Sequence, residues 1–129
     1  MNRAIVIFSF FIALFCCSAA AADQLSSHDL DGTWKGTIGS YSVEMSIKTY
    51  GSGEFIGVDM VWLKAPGCCE LGFVPVYHET PTGAPGLVFL HDNNSNYGEV
   101  VLMSKTSLII NSLNVAQFEP SSFPVILTK

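Results

Sequence analysis

Cys68 and Cys69 carry the most reactive side chains of this chain, and their adjacency limits what they could do. The other two cysteines, Cys16 and Cys17, lie in an N-terminal apolar run that export would remove. In an oxidising compartment Cys68 and Cys69 would then have no other cysteine of their own chain to pair with. Three outcomes stay open. They could bond to each other in a strained ring, offering a flat sulfur surface to a ligand. They could bond to another chain as a covalent dimer, or remain free thiols for a soft metal or redox exchange. Adjacent half-cystines close no useful loop, and the spaced pair used by redox catalysts is absent.

Two His-acid neighbours, His78-Glu79 and His91-Asp92, could meet as metal ligands if their strands adjoin. Within each pair the two side chains point to opposite faces of a strand, and each pair borders a turn where polar residues are expected. Glu44 and Glu54 read as outward, solvated carboxylates of neighbouring strands rather than an acid and base pair. No serine sits in a nucleophile elbow or next to a histidine. His28 lies in a polar lead-in arm and reads as a solvated histidine. The chain shows no enzyme signature, and no metal or cofactor is expected.

These residues must be positioned by a chain that begins with an export address. Arg3 supplies a short positive region, 4–17 is apolar, and Ser18 to Ala22 are the small residues a signal peptidase needs, so cleavage is expected just before Asp23. The apolar run is too short to span a bilayer, which predicts a secreted or periplasmic product with no retained membrane anchor. Residues 23–129 then form one domain. The chain has six basic and eleven acidic residues, a formal charge of −5, and its one arginine is Arg3. Such a product repels phosphate and lacks the bidentate donors that read bases, which argues against nucleic-acid binding.

Periodicity supplies the fold class. Tyr41, Val43, Met45 and Ile47 alternate with Ser42, Glu44, Ser46 and Lys48, the two-residue rhythm of a half-buried strand. Strands are expected over about 33–39, 40–50, 54–63, 73–79, 86–91, 99–105, 107–113 and 125–127, hinged at Gly51-Ser52-Gly53, Pro66-Gly67, the 81–85 segment and the 92–98 segment. Pro75 points to an edge, a bulge or a strand start. In the 54–63 strand both faces are largely apolar, which predicts cover on both sides or a subunit contact, so a homo-oligomer is one outcome. No amphipathic helix of useful length appears. About eight short strands predict an all-β protein, an antiparallel up-and-down barrel with a β-sandwich as the alternative. In the barrel the last segment, Val125 to Lys129, pairs back to the strand carrying Trp34.

Leu30-Asp31-Gly32-Thr33-Trp34, Ile38-Gly39-Ser40 and Gly53-Glu54-Phe55-Ile56-Gly57 resemble the opening strands of avidin-like barrels, and Gly32-x-Trp34 is similar to the signature of lipocalins and other calycins. The resemblance implies a barrel whose closed end is sealed by the Trp34 indole. It does not carry biotin over. Ser40 stands where that family uses a serine, but Gly36 replaces an expected asparagine, Asp59 replaces a tyrosine, and no tryptophan follows Trp62.

Two function classes follow. One is an exported, non-enzymatic binding module. It takes a small apolar ligand in a mouth lined by Trp34, Ser40, Tyr41, Trp62, Cys68 and Cys69, or a protein partner on its rim, as envelope inhibitors or immunity-type proteins do. The other is a catalytic barrel assembling Asp59 with His78 or His91. An enclosed cavity with polar groups at its floor would favour a ligand or catalysis; a filled barrel would favour a protein partner.

Overall fold

The computed structural model describes residues 25–52, 55–90 and 96–129. The expected leader, Glu54, His91 and Asp92 lie outside the described residues. The strands are β1 (Gly32–Ile38), β2 (Tyr41–Ile47), β3 (Thr49–Ser52), β4 (Phe55–Val58), β5 (Val61–Ala65), β6 (Cys69–Glu79), β7 (Pro85–Leu90), β8 (Asn96–Ser104), β9 (Ser107–Leu113) and β10 (Val125–Thr128), with short 3-10 turns at Ser27–Leu30 and Pro120–Ser122.

Eight of these close an antiparallel barrel in the order β1-β10-β9-β8-β7-β6-β5-β2, and β3-β4 is a separate two-stranded ribbon. The expected closure is present: β10 returns to β1 with Lys35 opposite Thr128. Every barrel strand thus has two neighbours, and no long edge is left to recruit foreign strands.

The alternation read from the sequence sets the inside. Val43, Met45 and Ile47 of β2 and Val61, Leu63 and Ala65 of β5 are buried, while Ser42, Glu44, Ser46, Trp62 and Lys64 point out. Leu87, Phe89, Val100, Leu102, Leu108, Ile110 and Leu127 complete the interior. Each such side chain contributes about 1.5–3 kcal/mol when withdrawn from water.

Three expectations need correction. The continuous strands expected over 40–50 and 54–63 each break, because the chain leaves the barrel after Ile47 and re-enters at Val61. A hydrogen bond from Asp59 N to Lys48 O, 2.9 Å, pins the base of the ribbon between them. The connection expected around Pro66-Gly67, between the strands read over 54–63 and 73–79, is shorter: Cys68 N donates to Ala65 O (2.9 Å) across a turn with Gly67 at φ 83°, and β6 starts at Cys69. Pro75 lies inside β6, opposite Phe89 of β7, and of the placements expected for it the edge is the one found. The pairing of β5 with β6 has already ended at Val61↔Phe73, so on that flank β6 is locally an edge where Pro75 lacks its N–H.

One end is sealed as the Gly-x-Trp motif implies. Trp34 is fully buried and its Nε1 donates to Leu30 O at 2.9 Å, fixing the 3-10 turn across the opening. Asp31 adds a second tie, its Oδ2 accepting from Thr49 N (2.7 Å) and Thr49 Oγ1 (3.2 Å).

Candidate functional site

At the opposite end lie the β1-β2 turn, the β5-β6 turn and the segment between β9 and β10. Phe118, from that last segment, is 6% exposed and lies across this opening with its ring edge-on to Tyr41 (6.3 Å) and Phe123 (6.5 Å). Below it Phe73 stacks on Phe89 at 4.8 Å and meets Tyr97 edge-on at 6.2 Å. Aromatic rings therefore occupy the mouth where a ligand was expected. Among the described residues no polar or charged residue is buried. Among the described residues, the side chains with hydroxyls that pack against this core are the half-buried tyrosines Tyr41, Tyr77 and Tyr97, and no fully buried polar side chain is present to orient a ligand inside.

The residues singled out in the sequence do not converge. Trp34 is inside the sealed end. Ser40 and Tyr41 line a shallow mouth hollow of about 360 Å³ with Gln117, Phe118 and Ser122. Cys68 and Cys69, half-buried, are joined to each other by a disulfide on the β5-β6 turn and line a neighbouring hollow of about 440 Å³. Trp62 is on the outer wall, 41% exposed. Where the avidin pattern has an asparagine, a Cβ on Gly36 would stand 2.6 Å from Leu127 Cδ2, so the space is already occupied. Asp59 is exposed beside the ribbon and lines the groove over β1, β2 and β5, whereas His78 stands on β6 with Gly86 of β7 as its partner. No group of three metal-ligating side chains exists among the described residues.

The outer wall is divided in two. On the β1-β2-β5 side it is polar, with Lys35 Nζ 3.6 Å from Glu44 Oε1 as an exposed pair of little energetic weight. Here a groove of about 690 Å³ runs over one row of cross-strand neighbours, Thr33↔Ser46↔Trp62, between Lys48, Asp59 and Met60. The row continues to Gly72, where a Cβ would stand 2.5 Å from Met60 Cε and 3.0 Å from the Trp62 ring. Glycine at that position lets the indole and thioether reach over the sheet, leaving Met60 45% exposed. The sequence placed Trp62 in a mouth; its parity with Lys64, outward on the same strand, was the signal for the wall.

On the β6-to-β10 side the wall is apolar, and sequence reasoning missed it. One row runs Gly86↔Val101↔Ile109↔Ile126, and Val76↔Val88 lies beside it. Val76, Met103 and Ile126 are 46%, 52% and 54% exposed. One polar cluster interrupts this field: Asn111 Nδ2 donates to Glu99 Oε1 at 2.7 Å, and His78 Nε2 stands 3.5 Å from Glu99 Oε2. That Nε2 is shielded from solvent and makes no hydrogen bond within the described residues. Its ring rests over Gly86, where a Cβ would approach Nε2 to 3.0 Å. Comparison with protein-family models, with curated proteins and with solved structures finds no match for this chain.

Proposed function

We propose that this chain is an exported, non-enzymatic binding module of calycin-like architecture, in which the barrel is a filled scaffold and the working surface is the wall groove at Trp62. The observation that carries the reading is the interior: among the described residues the buried side chains are all apolar, and Phe118 lies across the mouth. The avidin-like ligand function does not follow, since the positions of Gly36, Ser40 and Asp59 lie apart, two of them outside the barrel.

The groove has the composition of a protein contact. Large, exposed Trp62 and Met60 are the residue types that anchor interfaces, and Thr33, Ser46, Lys48 and Asp59 supply a polar rim. A protein partner, as in the inhibitor or immunity-type reading, fits this better than a small apolar ligand in the mouth. The described residues lend catalysis no support, because Asp59 lines the groove while His78 stands on β6 opposite Gly86, and His91 lies outside the described residues.

The test is capture of partners from the exported fraction of the source cells, with wild type, Trp62→Ala and Tyr41→Ala as baits. A specific partner is expected with wild type and Tyr41→Ala and lost at least about 30-fold with Trp62→Ala, as for a hot-spot residue. A partner indifferent to Trp62 and lost with Tyr41→Ala would return the site to the mouth.

A further inference from the structure

In the closed strand order β8 is four strands from β2 in either direction, so the apolar field centred on β8 lies half a turn around the barrel from the groove centred on β2. We infer that a second copy of this chain docks on that field, joining two barrels back to back with their Trp62 grooves facing outward.

The charge distribution selects the occupant. The chain is acidic, with eleven carboxylates against six basic side chains. Yet among the described residues, the strand positions between Val74 of β6 and Thr128 of β10 whose side chains point outward in register with the apolar row carry one carboxylate, Glu99, beside Asn111 and His78, while Glu79 and Glu119 are exposed at the margins of the field. No lysine stands at those strand positions; Lys105 is exposed in the turn that joins β8 to β9, at the margin of the field. A basic partner would find little there to pair with, and an acidic one little to attract it. A copy of the same face offers matching neutral apolar surface without the repulsion that the rest of an acidic molecule imposes. Such self-complementarity is what a two-fold contact requires, because each residue must be acceptable opposite its own surroundings. Exposed valine, isoleucine and methionine over several neighbouring strands also exceed the scattered apolar residues of an ordinary monomer surface.

Size sets the strength. Five strands at about 4.8 Å spacing span about 20 Å, and the wall is convex, so the contact falls short of the standard interface of about 800 Å² per partner. Such a contact belongs with the weak, transient associations, so a micromolar rather than a nanomolar dissociation constant is expected. The inference is independent of what the groove binds.

Sedimentation velocity of the secreted protein, from about 1 to 500 µM, reads the equilibrium directly. The expected result is a monomer-dimer equilibrium that Ile109→Glu weakens at least about tenfold and that Thr37→Glu and Trp62→Ala leave unchanged. Met103→Glu, at an exposed position, serves as a second disruptor should Ile109→Glu melt well below wild type. A monomer at every concentration would overturn the inference. So would a dimer unaffected by both substitutions, or one abolished by reductant, which would place the contact at Cys68-Cys69. Loss of a groove partner with dimerisation intact would leave this inference standing, and the reverse would leave the groove standing.

Discussion

Lys129 Nζ stands 4.8 Å above the Trp34 ring and 3.1 Å from Asp29 O, so Lys129 clamps the first barrel strand and the 3-10 turn together. The clamp sits at the seam where β10 meets β1, the pairing that converts a sheet into a barrel. Trp34→Ala should lower unfolding free energy by about 3–5 kcal/mol, through lost burial and the cavity it leaves. Lys129→Met should cost about 1 kcal/mol, because the cation-ring contact and one hydrogen bond are solvent-exposed. Urea unfolding of both variants measures these values, and equal losses would show that the clamp and not the indole closes the end.

Gly36 tests whether the interior is full. A Cβ there meets Leu127 Cδ2 at 2.6 Å and Ile126 O at 3.1 Å, so Gly36→Asn should destabilise by about 1–3 kcal/mol through overpacking. It should not confer biotin binding, as isothermal titration would show.

The pairing of Cys68 with Cys69 predicts a protein two hydrogens lighter than its dithiol form by intact mass, with no covalent dimer on non-reducing gels. Replacing both by Ser should leave the melting temperature little changed, since the bond closes no loop in the unfolded chain.

Tyr77 is the group whose titration reports on folding. Burial first, and then the Glu79 carboxylate beside it, push its phenol above the ordinary tyrosine value of 10.0. The unfolded chain therefore ionises before the folded one. The stability this contributes is complete below about pH 10 and is lost as pH rises through the folded value. Tyr77→Phe should delay alkaline unfolding, measured by circular dichroism; an unchanged alkaline transition would assign it to other groups.

Much of the barrel was legible because burial wrote itself as a two-residue rhythm. Val43, Met45 and Ile47 on β2 fixed an inside, and Gly32-x-Trp34 with Val125 to Lys129 announced where the sheet would close. The β3-β4 ribbon was not legible, because Thr49 and Val58 continue the alternation of their neighbours and nothing local marks the departure at Lys48. The wall surfaces were illegible for another reason. On β6 and β7 both parities are apolar, as in Val74, Val76 and Val88 against Phe73, Leu87 and Phe89, so a reading by period cannot separate core from exposed field. Phe118 was not legible as the cover of the mouth, since its burial depends on a fold-back of the loop onto Tyr41 that no spacing encodes.

The claim that this barrel is filled and works from its outside is tested most directly by titrating the purified protein with cis-parinaric acid and following the probe's fluorescence. No saturable 1:1 binding with a dissociation constant below about 10 µM is expected once Trp62→Ala and Ile109→Glu have removed the two wall surfaces. Tight 1:1 binding that survives both substitutions would place a ligand among Leu87, Phe89 and Leu102 and contradict the account.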